Sequence, residues 1–181
     1  MKRIAAVLFC TLTLFSALSC NKSLETTYNK QESNIEDIVE TLTGSSADAQ
    51  TDYLDGVTRV TLVHGEGESL DKDGVVAFYY AAYQITGRSL SASNVFATNH
   101  EEFANSIKWA VTDPDAFEIA TVNLAEESLV EGLQKGLPGV KAGDECWILF
   151  SGKHGFGKKS EGPLQSRAAL AYHLWIRGVT N

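Results

Sequence analysis

Apolar and polar positions along this 181-residue chain change their period several times, and each change marks an expected element. The first apolar block, Ile4 to Leu18, is nearly continuous and follows Lys2 and Arg3. Polar residues dominate Asn21 to Glu32. Ile35, Ile38, Val39 and Leu42 then recur at helical spacing, with Ser33 or Asn34 able to start a helix and Gly44 able to end it. Gly44 to Gln50 is small and polar, as in a linker. Alternation begins at Val57 and predicts a strand over Val57–Val63, closed by the turn His64-Gly65-Glu66-Gly67. A second turn, Asp71 to Gly74, precedes a long strand from Val75 to Ile85. That strand is rich in β-branched and aromatic residues, including Phe78, Tyr79, Tyr80 and Tyr83, and stops at Thr86-Gly87.

The second half mixes both periods. Asn99 followed by Glu102 has the form of a capping box and predicts a helix over His100–Ala110, broken at Asp113-Pro114-Asp115. Phe117 to Leu124 reads as a strand. Leu129, Val130, Leu133 and Leu137 mark an apolar helix, and Pro138 to Gly143 makes a turn. Cys146 to Phe150 is a strand running into a glycine-rich loop tipped by Phe156. Ala168 to Val179 is the last strand, with Leu170, Tyr172, Leu174 and Ile176 on one face. Strands outnumber helices, and the connections are too short for repeated βαβ units. The pattern therefore predicts an α+β domain, an antiparallel sheet curled around one central helix. Within it, the apolar helix, strand and aromatic loop of Leu129 to Gly157 can wall a greasy pocket.

Charge and cysteine usage narrow the function. Apolar residues make up 44% and charged residues 21% of the chain, ordinary for a globular protein, and the net charge is −8. An acidic chain lacks the basic footprint that nucleic acid requires. The first apolar block is too short for an ordinary membrane span and ends in Ala17-Leu18-Ser19-Cys20. This has the form of a bacterial lipoprotein signal over residues 1–19 with Cys20 lipidated, although Ala17 stands where such signals usually carry Leu. A plain secretory signal cut near Ser19 is the alternative. Losing residues 1–19 removes Lys2 and Arg3 and no acid, leaving 13 basic against 23 acidic residues and a charge of −10. The expected place is the cell envelope, periplasmic or at the surface, with a lipid holding the chain to a membrane. Residues 20–55 then form a helical tether and 56–181 the domain, as a monomer. The short tether helix either docks on the domain or binds a partner. Docking is favoured, since an apolar stripe is usually covered. Cys146 remains as the only thiol of the mature fold, which precludes an internal disulfide, and a lone strand Cys reads as a small core residue.

Rival chemistry is weak. Gly152 to Lys158 nearly spells a phosphate loop, but Lys159 occupies the Ser/Thr place and Gly162-Pro163 follow where a helix must begin. His64, His100, His154 and His173 show no ligand spacing, so no metal or cofactor is expected. Asp113 and Asp115 flank a proline and read as turn formers.

Taken together, the motifs resemble the FKBP-type peptidyl-prolyl cis-trans isomerases over about Val57 to Val179. The family's central helix pattern appears as Leu129-Val130-Glu131-Gly132 to Gly136-Leu137, its turn glycine as Gly143, and the aromatic-Gly pair of its flap loop as Phe156-Gly157. Tyr79-Tyr80-Ala81-Ala82 resembles its aromatic strand motif, with Ala81-Ala82 for the usual Thr-Gly. Phe96-Ala97-Thr98-Asn99 resembles its Phe-Asp-Ser/Thr segment, and Phe96 to Ala104 resembles long-insert members in which that segment leads into a Glu-Glu helix. The resemblance implies a proline pocket walled by Tyr80, Phe96, Phe156 and Tyr172 as the catalytic residues. Leu129 and Val130 would bind substrate, and Leu133 would be the floor where the best-known members have Trp. The substrates implied are proline-containing polypeptides, and no cofactor is implied. The family's pocket Asp falls on Ala97; aligning on Gly87 instead puts Leu90 at the Phe and Ser91 at the Asp. Either way the carboxylate is missing. The expectation is a weakened isomerase of envelope proteins, with a non-catalytic binding or chaperone module as the alternative.

Overall fold

A computed structural model describes residues 2–111, 113–158 and 162–181, with the backbone alone described for 2–21 and 114. The architecture is one seven-stranded antiparallel sheet with helices on both faces. The strands are β1 (Gln50–Leu54), β2 (Val57–Val63), β3 (Val75–Ile85), β4 (Val95–Thr98), β5 (Ala120–Asn123), β6 (Glu145–Phe150) and β7 (Ala169–Thr180). Their order is β1-β2-β6-β7-β3-β4, and β5 pairs with the first part of β3. The helices are α1 (Lys2–Gly44), α2 (Glu101–Ser106) and α3 (Glu131–Gly136).

Strand β6 and strand β7 up to Ile176 are mostly apolar, and both their faces are largely buried. On the front face Cys146, Ile148, Phe150, Leu170, Tyr172, Leu174 and Ile176 join Leu133 and Leu137 from α3. This is the expected sheet around one helix. The glycines of α3 set how closely it approaches: a Cβ on Gly132 would run into the Phe150 ring, and one on Gly136 into Ile148. On the back face Val60, Ala81, Tyr83, Ile85, Trp147, Leu149, Ala169 and Ala171 are covered by Ile35, Ile38 and Val39 of α1. A row of ring contacts continues there: Trp147 and His173 stack with centroids 4.2 Å apart, while His173–Trp175 at 3.9 Å and His100–Trp175 at 4.2 Å are tilted by 41°.

Several elements differ from the sequence expectation. The expected short helix is the end of a long one. Ser33 and Asn34 are mid-helix residues, and the polar turns before them stay helical, with Thr26 and Thr27 bonding back to the carbonyls of Lys22 and Ser23. The apolar stripe docks on the sheet. Gln50–Leu54 is an edge strand whose register runs from Gln50↔Thr61 to Leu54↔Val57, so the sheet begins inside the expected tether of residues 20–55. Cys20 and residues 1–19 lie outside the residues whose side chains are described. Helix α2 is capped by His100, whose Nδ1 accepts the Phe103 N–H at 3.1 Å. Asn99, expected as the cap, has its amide drawn into the sheet instead. Strand β5 is shorter than Phe117–Leu124 because Pro114–Phe117 forms a 3-10 turn capped by Asp113.

Candidate functional site

All seven side chains expected at the pocket belong to the front-face cluster. Tyr172 and Leu133 are buried in the front cluster, and Tyr80, Phe96, Leu129, Val130 and Phe156 pack against it partly exposed. Tyr172 is the hub. Its ring centroid lies 6.4 Å from Tyr80, 6.3 Å from Phe96 and 6.0 Å from Phe150. The Phe96 contact is edge-to-face at 86°, a favoured aromatic arrangement, whereas Phe150 stacks beneath at 16°. The sequence marks Phe150 only as strand core; its role as the layer under Tyr172 has no signal beyond alternation.

Local backbone devices aim these rings. The β3–β4 register shifts between Ala82↔Ala97 and Tyr83↔Val95, which leaves Phe96 as an extra residue in β4. Such a bulge breaks the up-down alternation and lets Phe96 and Ala97 both face the site. Tyr80 is held at both of its backbone groups. Its N–H donates to Asn99 Oδ1 at 2.6 Å, and its carbonyl accepts from Thr98 Oγ1 at 2.7 Å. Asn99 is 5% exposed and also donates to the Glu118 carbonyl at 2.9 Å. Leu129 and Val130 directly precede α3, Val130 as its N-cap residue at φ −58° and ψ 137°, and the Val130 N–H has no partner among the described residues.

The loop carrying Phe156 is pinned from two sides. From α3, Gly132 N–H donates to the His154 carbonyl at 2.9 Å, and Glu131 lies 3.0 Å from His154 Nδ1. Glu131 also meets Lys135 at 3.0 Å, which in turn meets Asp55 at 2.8 Å. The His154 bond, with that of Lys135, holds the Glu131 carboxyl below its ordinary range. From α1, Gln31 grips both ends of the loop. Its Nε2 donates to the Arg167 carbonyl at 2.9 Å, and its Oε1 accepts the Gly152 N–H at 2.9 Å. Lys153 adds an ion pair to Glu32 at 2.7 Å and lies 5.6 Å over the Tyr28 ring. Nothing in the local sequence points to Gln31, because its partners lie more than a hundred residues away.

The cluster is chemically uncharged. Burial raises the pKa of both Tyr80 and Tyr172, and their proximity raises that of Tyr172 further. Both hydroxyls stay protonated, and no hydrogen bond to either is made among the described residues. Ala97 packs at the edge of the same cluster and brings no carboxylate to them. Cys146 is fully buried and its thiol is pushed up to about 12, which fits a core residue rather than a nucleophile. Among the described residues no cluster of His, Cys, Asp and Glu could hold a metal ion. What the arrangement offers is an apolar aromatic surface, partly exposed at Tyr80, Phe96, Leu129, Val130 and Phe156, with two phenolic hydroxyls and an unpartnered backbone N–H.

Neither a protein-family profile nor any curated protein matches the sequence. Solved structures do. A peptidyl-prolyl cis-trans isomerase from Pseudomonas syringae superposes with a TM-score of 0.55 at 16% identity, covering 86% of this chain and 96% of that one. The N-terminal domain of FKBP42 from Arabidopsis thaliana gives 0.54 at 16% identity, covering 75% and 96%. FkpA from Escherichia coli gives 0.56 at 16% identity over 96% of this chain and 71% of its own. Likeness at this identity speaks to the backbone, and it agrees with the strand order and the central helix described above: the chain has the FKBP-like fold of the peptidyl-prolyl isomerase domains.

Proposed function

We propose that the protein is a peptidyl-prolyl cis-trans isomerase of reduced efficiency, acting on X-Pro bonds of cell-envelope proteins while anchored to a membrane through a lipid on Cys20. The observation that carries the reading is the contact of Tyr80 and Phe96 with Tyr172, in one front-face cluster with Phe156, Val130 and Leu133, on this fold. The reaction needs no nucleophile. Rotation about the X-Pro bond is opposed by a barrier of about 20 kcal/mol that comes from amide resonance. A twisted amide is less dipolar than a planar one, so it loses less on leaving water. An apolar recess therefore binds the twisted state preferentially, and that difference is the catalysis. The aromatic walls hold the pyrrolidine ring. The Tyr80 hydroxyl and the Val130 N–H, both without partners among the described residues, would bond the substrate chain.

Reduced efficiency follows from Ala97. With no carboxylate beside it, the Tyr80 hydroxyl is not oriented before substrate arrives. The same residue favours a second reading, a module that binds proline-containing chains without turning them over. A protease-free assay on a proline tetrapeptide separates the two. Acceleration that is lost on Tyr172→Ala supports the enzyme. Binding of an unfolded client with no acceleration at high protein concentration would leave only the binding module.

A further inference from the structure

A cavity of about 910 Å³ lies between α1, the end of β3 and the segment leading into β7. Three cations line it: Lys30, Lys158 and Arg167. None of them takes part in an ion pair among the described residues, and no carboxylate is among the described residues of the lining. In a chain with a net charge of −8 this is an isolated basic recess. Its wall also holds Asn34, a polar side chain only 9% exposed. Arg59, Thr98, Asn99 and Asp144, buried to a similar degree, are hydrogen-bonded through their side chains, whereas the Asn34 amide has no hydrogen-bond partner among the described residues. Lining the cavity with no protein partner, the Asn34 amide is free to donate to a ligand there. It does not serve the helix as a cap, being mid-helix.

We infer that this recess is a binding site for a phosphate-bearing anion, which the Asn34 amide and the cations Lys30, Lys158 and Arg167 hold by donated hydrogen bonds. Donors are what the lining supplies, and an oxyanion with several acceptor oxygens is what they match. The cavity is far larger than one phosphate and includes Leu24 and Ile85, so the ligand carries an organic part. Two sources share this chemistry: the headgroup of an acidic phospholipid and a soluble phosphate. The position favours the headgroup. The cavity reaches Ser23, three residues beyond Cys20, so the proposed lipid anchor would hold it against the membrane surface.

The test follows the Asn34 side-chain amide by NMR in the full chain held in phosphatidylcholine nanodiscs. Inorganic phosphate is added in one arm, and phosphatidylglycerol is built into the nanodisc in the other. A saturable shift with phosphatidylglycerol, with or without one on free phosphate, is the expected result. A shift with inorganic phosphate alone supports the anion site and overturns its membrane source. No shift in either arm overturns the proposal. Lys30 and Lys158 are exposed, so Lys30→Gln with Lys158→Gln leaves the fold intact. It should weaken the response roughly tenfold per charge removed, the value of one charge-assisted bond. An unchanged response in that variant also overturns the proposal. The proline-peptide assay is indifferent to every one of these outcomes, so this inference and the isomerase reading fail separately.

Discussion

Ala97 and Tyr80 lie on one face of adjacent strands, diagonal neighbours across a ladder in which Ala97 opposes Ala82. Diagonal positions are within reach of longer side chains. Ala97→Asp should therefore give the Tyr80 hydroxyl an acceptor and raise the isomerisation rate by roughly twofold to tenfold, the value of one hydrogen bond. An unchanged rate in the peptide assay, with the fold retained, would favour the binding module. Gly132→Ala tests the opposite kind of site. Its methyl meets the Phe150 ring, and overpacking of this sort costs about 1–3 kcal/mol. A thermal midpoint indistinguishable from the parent's would contradict that close approach. A third residue governs acid behaviour. His173 bonds Glu145 at 2.8 Å, yet burial holds its pKa below the ordinary 6.5. The folded protein thus keeps the imidazole neutral, while the unfolded chain takes up a proton as the pH drops below about 6.5. Stability conferred by the neutral ring is complete above that pH and is lost below it. The Glu145 carboxyl, held below its ordinary 4.5 by the His173 bond, adds loss at lower pH. Melts on either side of this window, at neutral and at mildly acidic pH, should show a falling midpoint, and His173→Gln should flatten the upper part of the fall.

Elements with a strong local pattern are legible from the chain itself. Strands Val57–Val63 and Val75–Ile85 have the bounds their alternation and flanking turns predict. Helix α1 is readable only where its apolar stripe runs, since its polar turns carry no period to distinguish helix from coil. Strand β1 reads as linker because Gln50-Thr51-Asp52-Tyr53-Leu54 is a short, polar edge whose partner supplies the order. The aromatic walls are legible through motifs, whereas the bulge that turns Phe96 inward depends on register, which a sequence does not display. Likewise Asn99 has the pattern of a helix cap, and only the proximity of Tyr80 and Glu118 shows why its amide goes elsewhere. The Gln31 grip on the Phe156 loop is hidden for the same reason of distance. Gln31→Ala removes two bonds of about 0.5–1.5 kcal/mol each. Faster hydrogen exchange at Gly152, along with weaker binding of a proline-pocket ligand, is the expected result. Unaltered exchange there would show that α1 does not hold the loop.

At the scale of the molecule, a sheet buried on both faces makes α1 a structural layer rather than an appendage. Ile38 is 2% exposed against the back face, and Ile38→Ala should cost about 2–5 kcal/mol. Deleting residues 1–48 would uncover Val60, Trp147, Leu149 and Ala171 together. The remaining domain should aggregate or lose its cooperative melt; a soluble, sharply melting fragment would contradict the two-layer account. The docking of α1 also fixes a distance. From Lys22 to Gln31 the helix rises only about 14 Å at 1.5 Å per residue. With a lipid at Cys20, the recess around Tyr172 would ride within a few nanometres of the bilayer and could not sweep a wide volume. Its clients would then be chains emerging at, or tethered to, that same surface, selected by height above the membrane before any side chain is read.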